Sequence, residues 1–304
     1  MGNARLAPYA VLGIGVVAVS WSAIIIREAE APILVIASYR MVLASLPVGA
    51  LALIQQRRAP EPISRATVGP LLLSALFLAA HFGFWFAAVK HTSVVTATVL
   101  VTTQPLFIAA VAPLLLRERV STRILLALLV ALAGTAMMTV EDVGEGFGTL
   151  LGDLYGLLGG AFAGGYLMVG RWVRPTISWP RYVGTVYPIT AVLLLSATLI
   201  AREPFTGYST MTYAMMALLA LGPQLIGHNA INWSLGYLPV VVVAMAILGE
   251  PVGATVWAAL ILDEQPSMLE MAGGAVVLLG VYLGLRPEQE AEPAAPGPPQ
   301  IGTD

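Results

Sequence analysis

Long apolar runs separated by short polar segments occupy the chain up to residue 285. A helix needs roughly 20 mostly apolar residues to cross the hydrocarbon core of a bilayer. Ten runs of about that length can be marked, and they predict an all-α integral membrane protein. The predicted spans are 7–26, 32–54, 68–89, 94–116, 122–140, 151–171, 179–201, 209–233, 239–262 and 267–285.

The number of spans depends on the stretch 204–249, which contains no Asp, Glu, Lys or Arg. Gly236 and Pro239 are turn residues that divide it into two spans, and nine spans is the alternative. The basic residues favour ten, because short cytoplasmic loops collect Lys and Arg. With the N-terminus inside, Arg27, Lys90 and Arg202 lie outside and eleven arginines lie inside, which predicts that both termini are cytoplasmic. The eleven are Arg5, Arg57, Arg58, Arg65, Arg117, Arg119, Arg123, Arg171, Arg174, Arg181 and Arg286.

Composition agrees with a lipid environment. The chain is 58% hydrophobic and 11% charged, whereas a soluble domain carries about 25% charged residues. The net charge of −2 provides no basic field for nucleic acid. Because the chain has no cysteine, disulfides, thiolate nucleophiles and cysteine-ligated metals are excluded. The first apolar run has no convincing cleavage site and is interpreted as a retained helix. The tail 287–304 has five prolines and is predicted to be disordered in the cytoplasm.

The two halves of the chain repeat one another. Residues 102–121 align on 248–267 without a gap, at an offset of 146. The alignment places Gln104-Pro105 on Glu250-Pro251, Glu118 on Glu264 and Gly134 on Gly280. We therefore predict one repeat in 1–143 and a second in 144–286.

Five spans in each repeat force the second repeat into the membrane with opposite polarity. The turn charges change accordingly, since Arg117 aligns with Asp263 and Arg119 aligns with Gln265. A loop that moves from the cytoplasm to the exterior is expected to lose its positive charge. Inverted repeats are typical of alternating-access transporters, which bind substrate near the membrane midplane between the repeats.

Several segments resemble the EamA-type drug/metabolite transporter superfamily. They are WSAIIIR (21–27), RMVLA (40–44) and the two Pro…Glu-x-x-Ser segments, and the resemblance covers 7–285. Ser22 is a departure, because many relatives have Trp-Gly there. The aromatic content is similar to that of the bacterial aromatic amino acid exporters of the YddG type. The resemblance implies an inner-membrane permease of ten helices in two inverted five-helix repeats, with helices 5 and 10 peripheral.

Glu250 is the leading candidate for the substrate site. It lies about ten residues into the ninth span, at a proline that leaves the carbonyl of Ile247 without its helical partner. Charged groups at membrane depth are costly and face protein or water. Glu250 can serve substrate or proton binding, or a purely structural hydrogen bond. Gln104, its repeat mate, can bind only by hydrogen bonds.

Other polar and aromatic residues lie inside the predicted spans. Arg40 can hold a substrate carboxylate, pair with Glu250 or bind backbone carbonyls. His81 and His228 are one position away from repeat equivalence, and either can carry a proton or serve a structural hydrogen bond. Interior aromatic rings can stack on a ligand or simply pack. The candidate substrate-binding residues are Trp21, Arg40, His81, Trp85, Gln104, Tyr166, Tyr187, His228, Asn232, Trp233 and Glu250, and Pro105 and Pro251 are candidate kinks for gating.

The favoured function is an alternating-access exporter of small amphipathic metabolites, chiefly aromatic or hydrophobic amino acids. The alternative is a broad-range exporter of drugs or of amino acids such as threonine and homoserine. An intramembrane enzyme is disfavoured because no nucleophile–base pair, metal-ligand cluster or cofactor motif is found, so no cofactor and no metal are expected. A channel is disfavoured because no filter-like loop is found. The expected partners are a small-molecule substrate and the bilayer. Oligomeric state, transport direction and energy coupling stay open.

Overall fold

The computed structural model describes residues 2–91, 94–139, 150–261 and 265–286, and the regular secondary structure in these ranges is helical. The helices are α1 (Gly2–Val19), α2 (Ser22–Glu28), α3 (Ile33–Arg58), α4 (Arg65–His91), α5 (Val94–Val101), α6 (Gln104–Leu115), α7 (Thr122–Thr139), α8 (Leu150–Val173), α9 (Trp179–Ile200), α10 (Thr210–Leu219), a π-helix (Ala220–His228), α11 (Asn229–Ser234), α12 (Val240–Ile247), α13 (Glu250–Ile261) and α14 (Met268–Leu285). The tail 287–304, the boundary at residues 143–144 and Asp263-Glu264 lie outside the described residues.

The described helices are those of a multi-pass membrane protein. Seven helical segments are long and apolar enough to cross a bilayer, and Val99–Leu115 and Thr122–Met138 are shorter apolar helices. The glycine-rich α8 has 24 residues and lies among them. One helix, or a succession of helices, therefore occupies each of the ten predicted spans. That all ten cross the membrane stays a prediction. The seven segments are Leu6–Glu28, Ile33–Arg58, Arg65–Val89, Trp179–Ile200, Thr210–Ser234, Val240–Ile261 and Met268–Leu285.

Three of the spans are interrupted near their middles. The breaks lie at residues 20–21, 102–103 and 248–249. Pro105 and Pro251 account for the second and third, because proline has no N–H to donate to the preceding turn. At the first and second breaks, Ser and Thr hydroxyls donate to carbonyls three residues earlier and so satisfy part of the exposed backbone.

The helix boundaries follow the repeat seen in the sequence. Helices α5, α6 and α7 begin and end 146 positions before α12, α13 and α14, respectively. The helix contacts also occur in equivalent pairs. Helix α4 packs on α8, and its repeat counterpart, the π-helix, packs on α1. Helix α3 packs on its counterpart α9, and α7 packs on its counterpart α14. The α7–α14 pair lies at the edge, and neither helix contributes to the central cavity described below.

Glycine allows α7 and α14 to cross with their backbones in contact. A Cβ at Gly280 would lie 2.5 Å from the Ala131 nitrogen and 2.7 Å from the Ala127 oxygen. A Cβ at Gly134, its counterpart 146 positions earlier, would lie 2.5 Å from the Val277 nitrogen. Because these neighbours are backbone atoms, no side chain can move aside to accept a larger residue.

We therefore expect Gly280→Leu to destabilise the folded protein by about 2 kcal/mol or more, the upper part of the range for overpacking. The measurement is the melting temperature of the purified protein in detergent. Gly49→Leu is the matched control, because a Cβ at Gly49 meets nothing within 4 Å. Equal melting temperatures for the two variants would show that α7 and α14 do not need this close crossing.

Candidate functional site

A cavity of about 60 Å³ lies where the interrupted helices meet. Its walls come from α1 and α2, α3, α4, α5 and α6, α8, the π-helix and α11, and α12 and α13. Both predicted repeats therefore contribute. Seven of the eleven predicted binding residues line it, namely Arg40, His81, Trp85, Gln104, Tyr166, His228 and Glu250.

The helix breaks place Gln104 and Glu250 on the cavity wall. Each is the first residue of the second half of its span, α6 or α13. Helix α8 presents glycine to the break between α5 and α6, where a Cβ at Gly160 would lie 2.8 Å from the Val101 oxygen. This close packing holds the start of α6 against the second half of the molecule, so that Gln104 lies beside the cavity.

Arg40 is 1% exposed and is held by two neighbours. Its Nε donates to Oε1 of Gln224 at 2.7 Å. Its Cζ lies 4.4 Å from the centre of the Phe82 ring, which is cation–π geometry. The Nη1 and Nη2 atoms are buried and have no hydrogen-bond partner. The guanidinium therefore keeps one edge of its donor fork unused.

The π-helix brings Gln224 to this site. It runs for nine residues around Pro223, whose missing N–H favours wider hydrogen-bonded turns. Gln224 is fully buried and His228 lines the cavity.

The two histidines meet different partners. His81 Nδ1 lies 2.9 Å from the Gly159 oxygen, and since a carbonyl can only accept, Nδ1 carries a proton. In the neutral ring Nε2 is then an acceptor. His81 also stacks on Trp85 with ring centres 6.0 Å apart. His228 presents its ring to Phe82 in edge-on geometry at 5.8 Å.

Tyr187 and Asn232 lie behind the cavity wall. Tyr166, which lines the cavity, donates its hydroxyl to Asn232 Oδ1 at 2.8 Å. The Asn232 amide in turn donates to the Tyr187 hydroxyl at 3.1 Å. These two residues therefore position Tyr166 and do not face the cavity themselves.

Trp21 and Trp233 are placed elsewhere by the structure. Trp21 packs on Trp257 with ring centres 4.4 Å apart, at the break between α1 and α2. Trp233 packs on Tyr237, which is 57% exposed, at the end of α11. Neither ring belongs to the cavity wall, because each projects from its helix toward a neighbour outside the cavity.

Polar contacts join the two predicted repeats at the end of the molecule predicted to be cytoplasmic. Glu118 accepts from Arg171 Nε at 2.6 Å and from the Val240 N–H at 3.0 Å. Arg171 also donates to the Leu235 carbonyl at 3.0 Å. Glu118 and Arg171 thus link the turn after α6 to the end of α8, the end of α11 and the start of α12.

Over the described ranges, no group of three or more His, Cys, Asp or Glu side chains is arranged to hold a metal ion. The cavity offers groups that can bind a ligand, namely a partly unused guanidinium, a carboxylate, an amide and aromatic rings.

A comparison with family models identifies the family. The model of the EamA-like transporter family matches residues 7–140 and 150–286. A chloroplastic WAT1-related protein of Arabidopsis thaliana is 26% identical over 263 residues, which are 83% of this chain. The match covers 63% of that relative, which is less than two thirds of the relative's length. An uncharacterized transporter of Archaeoglobus fulgidus is 21% identical over 252 residues, 82% of this chain and 86% of that protein. A crystal structure of another protein shares the fold, with a TM-score of 0.76 at 17% identity over 92% of this chain and 97% of that chain.

Proposed function

Since the chain belongs to the EamA-like transporter family, we propose that this membrane transporter exports aromatic and other hydrophobic amino acids by alternating access. The observation that carries the proposal is the central cavity, where a buried arginine and a glutamate share the wall with Phe82, Trp85 and Tyr166. An amphipathic amino acid has the same composition, two charged ends and an apolar side chain. Membership of a transporter family also argues against an enzyme.

The two inverted repeats are part of the proposal. The family model matches in two segments that are separated at residues 141–149, next to the predicted boundary. The shared offset of the helix boundaries and the matching helix contacts also support a duplication. With five spans in each repeat, the halves have opposite orientations and both termini lie on one side. We assign that side to the cytoplasm from the arginine distribution, and we assign the membrane to the bacterial inner membrane.

The small size of the cavity supports movement of the two halves during transport. Pockets for small molecules typically measure about 300–1,000 Å³, whereas this one measures about 60 Å³. An aromatic amino acid therefore enters only when the walls separate. The breaks before Pro105 and Pro251 provide points where α6 and α13 can change direction without breaking further hydrogen bonds. We assign to these two prolines the role of kinks in gating.

The small volume also favours a second candidate function. A smaller amino acid such as threonine or homoserine needs less widening of the cavity than tryptophan does. A broad-range exporter would instead accept apolar cations and neutral drugs, which lack one or both charged ends.

A flux assay tests the proposal. We expect purified protein in liposomes to move labelled phenylalanine or tryptophan saturably, and unlabelled threonine to compete with it only weakly. The assay is run with and without an imposed pH gradient, because Glu250 and the histidines offer proton sites. Stronger flux of threonine would select the second candidate. Folded protein that moves no amino acid at all would overturn the proposal.

A further inference from the structure

Several buried hydrogen-bond donors at or beside the cavity wall have no partner in the protein. Nη1 and Nη2 of Arg40, Nε2 of Gln224 and Nε1 of Trp85 are all buried without a partner. Buried donors are normally satisfied, and a charged donor left alone is especially costly. Arg40 and Trp85 line the cavity, so the unused donors point to a ligand that supplies acceptors.

Gln224 determines which edge of Arg40 is available. Its Oε1 accepts a hydrogen bond from Arg40 Nε at 2.7 Å, and the Phe82 ring lies against the guanidinium. Only the Nη1–Nη2 edge then remains for another partner. Two parallel N–H groups of this kind match the two oxygens of a carboxylate, which is the geometry that makes arginine a specific carboxylate binder.

Glu250 provides the opposite pole. No hydrogen bond joins its carboxylate to another described residue, and it is not in ion-pair contact with Arg40. Both side chains line the same cavity, and opposite charges attract one another more strongly in such a setting than in water. The remaining titratable groups of the wall are His81 and His228, together with the Tyr166 hydroxyl.

We propose that the substrate binds as a zwitterion, with its carboxylate on the Nη1–Nη2 edge of Arg40 and its ammonium group at Glu250. Gln224 is the positioning residue that holds Arg40 for this contact. The inference rests on the proposed function and narrows it to substrates that carry both charges. The rings of Phe82, Trp85 and Tyr166 then surround the side chain of the substrate.

Charge balance explains the selectivity that follows. Arg40 and Glu250 together are neutral, and a zwitterion keeps the cavity neutral while pairing both charges. An amine without a carboxylate leaves Arg40 unpaired and adds a net positive charge at membrane depth. A carboxylate without an ammonium group leaves Glu250 unpaired and adds a net negative charge. Unpaired charge in such a place is costly, so both analogues are disfavoured.

The test is competition against labelled phenylalanine on the purified full-length protein. We expect phenylalaninamide, phenylethylamine and 3-phenylpropionate each to compete about 10- to 100-fold more weakly than phenylalanine, as loss of one charge-assisted contact implies. Gln224→Leu should raise the KM for phenylalanine about tenfold with little change in kcat. The same variant should reduce the preference for phenylalanine over phenylalaninamide, which lacks the carboxylate that Arg40 binds. The preference for phenylalanine over 3-phenylpropionate should not change, because both ligands carry that carboxylate.

The ratio between ligands separates positioning from a general structural role, because a misfolded or loosened site would weaken all ligands together. Gln55→Leu is the matched control, since Gln55 donates one side-chain hydrogen bond, to Ser178, far from the cavity. If phenylalaninamide competes as well as phenylalanine, the inference is wrong while the proposed function stands. If neither phenylalanine nor threonine binds to the folded protein, both are wrong.

Discussion

Replacing Glu250 with glutamine should remove most of the transport activity. In the proposed complex this carboxylate meets the substrate ammonium group, and a glutamine of the same shape cannot supply the negative charge. Loss of such a charge-assisted contact is worth about 1.5–3 kcal/mol, which corresponds to a rate lower by about 10- to 150-fold. The measurement is the initial rate of labelled phenylalanine flux into proteoliposomes at a subsaturating concentration.

Glu270→Gln is the matched control for this variant. Glu270 lies at the start of α14, where its side chain accepts from the Ser267 N–H at 2.7 Å in a capping box. A glutamine can make the same hydrogen bond, and the residue is remote from the cavity, so flux should not change. If Glu250→Gln transports phenylalanine at the normal rate, the site assignment is wrong although the fold is unaffected.

In the proposed duplication, Glu250 and Gln104 occupy equivalent positions but differ in charge. Both residues begin a helix after a break and both precede a proline, so the backbone presents them in equivalent ways. One is a carboxylate and the other an amide, and only the second repeat therefore offers a negative charge. Arg40 belongs to the first repeat. In the proposed complex the zwitterion therefore lies across the interface, and each of its ends is bound by a different repeat.

Much of the fold could be predicted because membrane insertion leaves a strong signal in the sequence. Apolar length predicted where the helices lie, and the two prolines predicted the breaks at Gln104 and Glu250. The break between α1 and α2 had no comparable signal, since Ser20-Trp21 contains neither proline nor glycine. Its causes lie in tertiary packing, where a Cβ at Gly253 would lie 2.6 Å from Ser20 Oγ.

The site was predicted less completely, because a sequence does not tell which face of a spanning helix meets the centre. Polar residues at membrane depth identified Arg40 and Glu250 as candidates. Aromatic residues carry no such constraint, so Trp21 and Trp233 were named although they pack outside the cavity. Gln224 was not identified, although it is a polar residue four positions before His228. The π-helix that turns it toward Arg40 has no periodicity that marks it in an apolar run.

Arg119 and Gln265 should lie on opposite sides of the membrane. They occupy equivalent places 146 positions apart, one in the turn between α6 and α7 and the other between α13 and α14, and both are exposed. Because the natural chain has no cysteine, Arg119→Cys and Gln265→Cys each create a single thiol. In intact spheroplasts we expect a membrane-impermeant maleimide to label Gln265→Cys and to leave Arg119→Cys unlabelled until the membrane is permeabilised.

The expected difference in labelling follows from the number of spans in the first repeat, because only an odd number of spans reverses the orientation of the second repeat. Nine spans in total would arise if 209–262 crossed the membrane once, and the Gln265 turn would then face the cytoplasm together with Arg119. Labelling of both variants only after permeabilisation would therefore rule out an inverted repeat. The proposal that Arg40 and Glu250, from two oppositely oriented repeats, bind the two ends of the substrate would lose its physical basis at the same time.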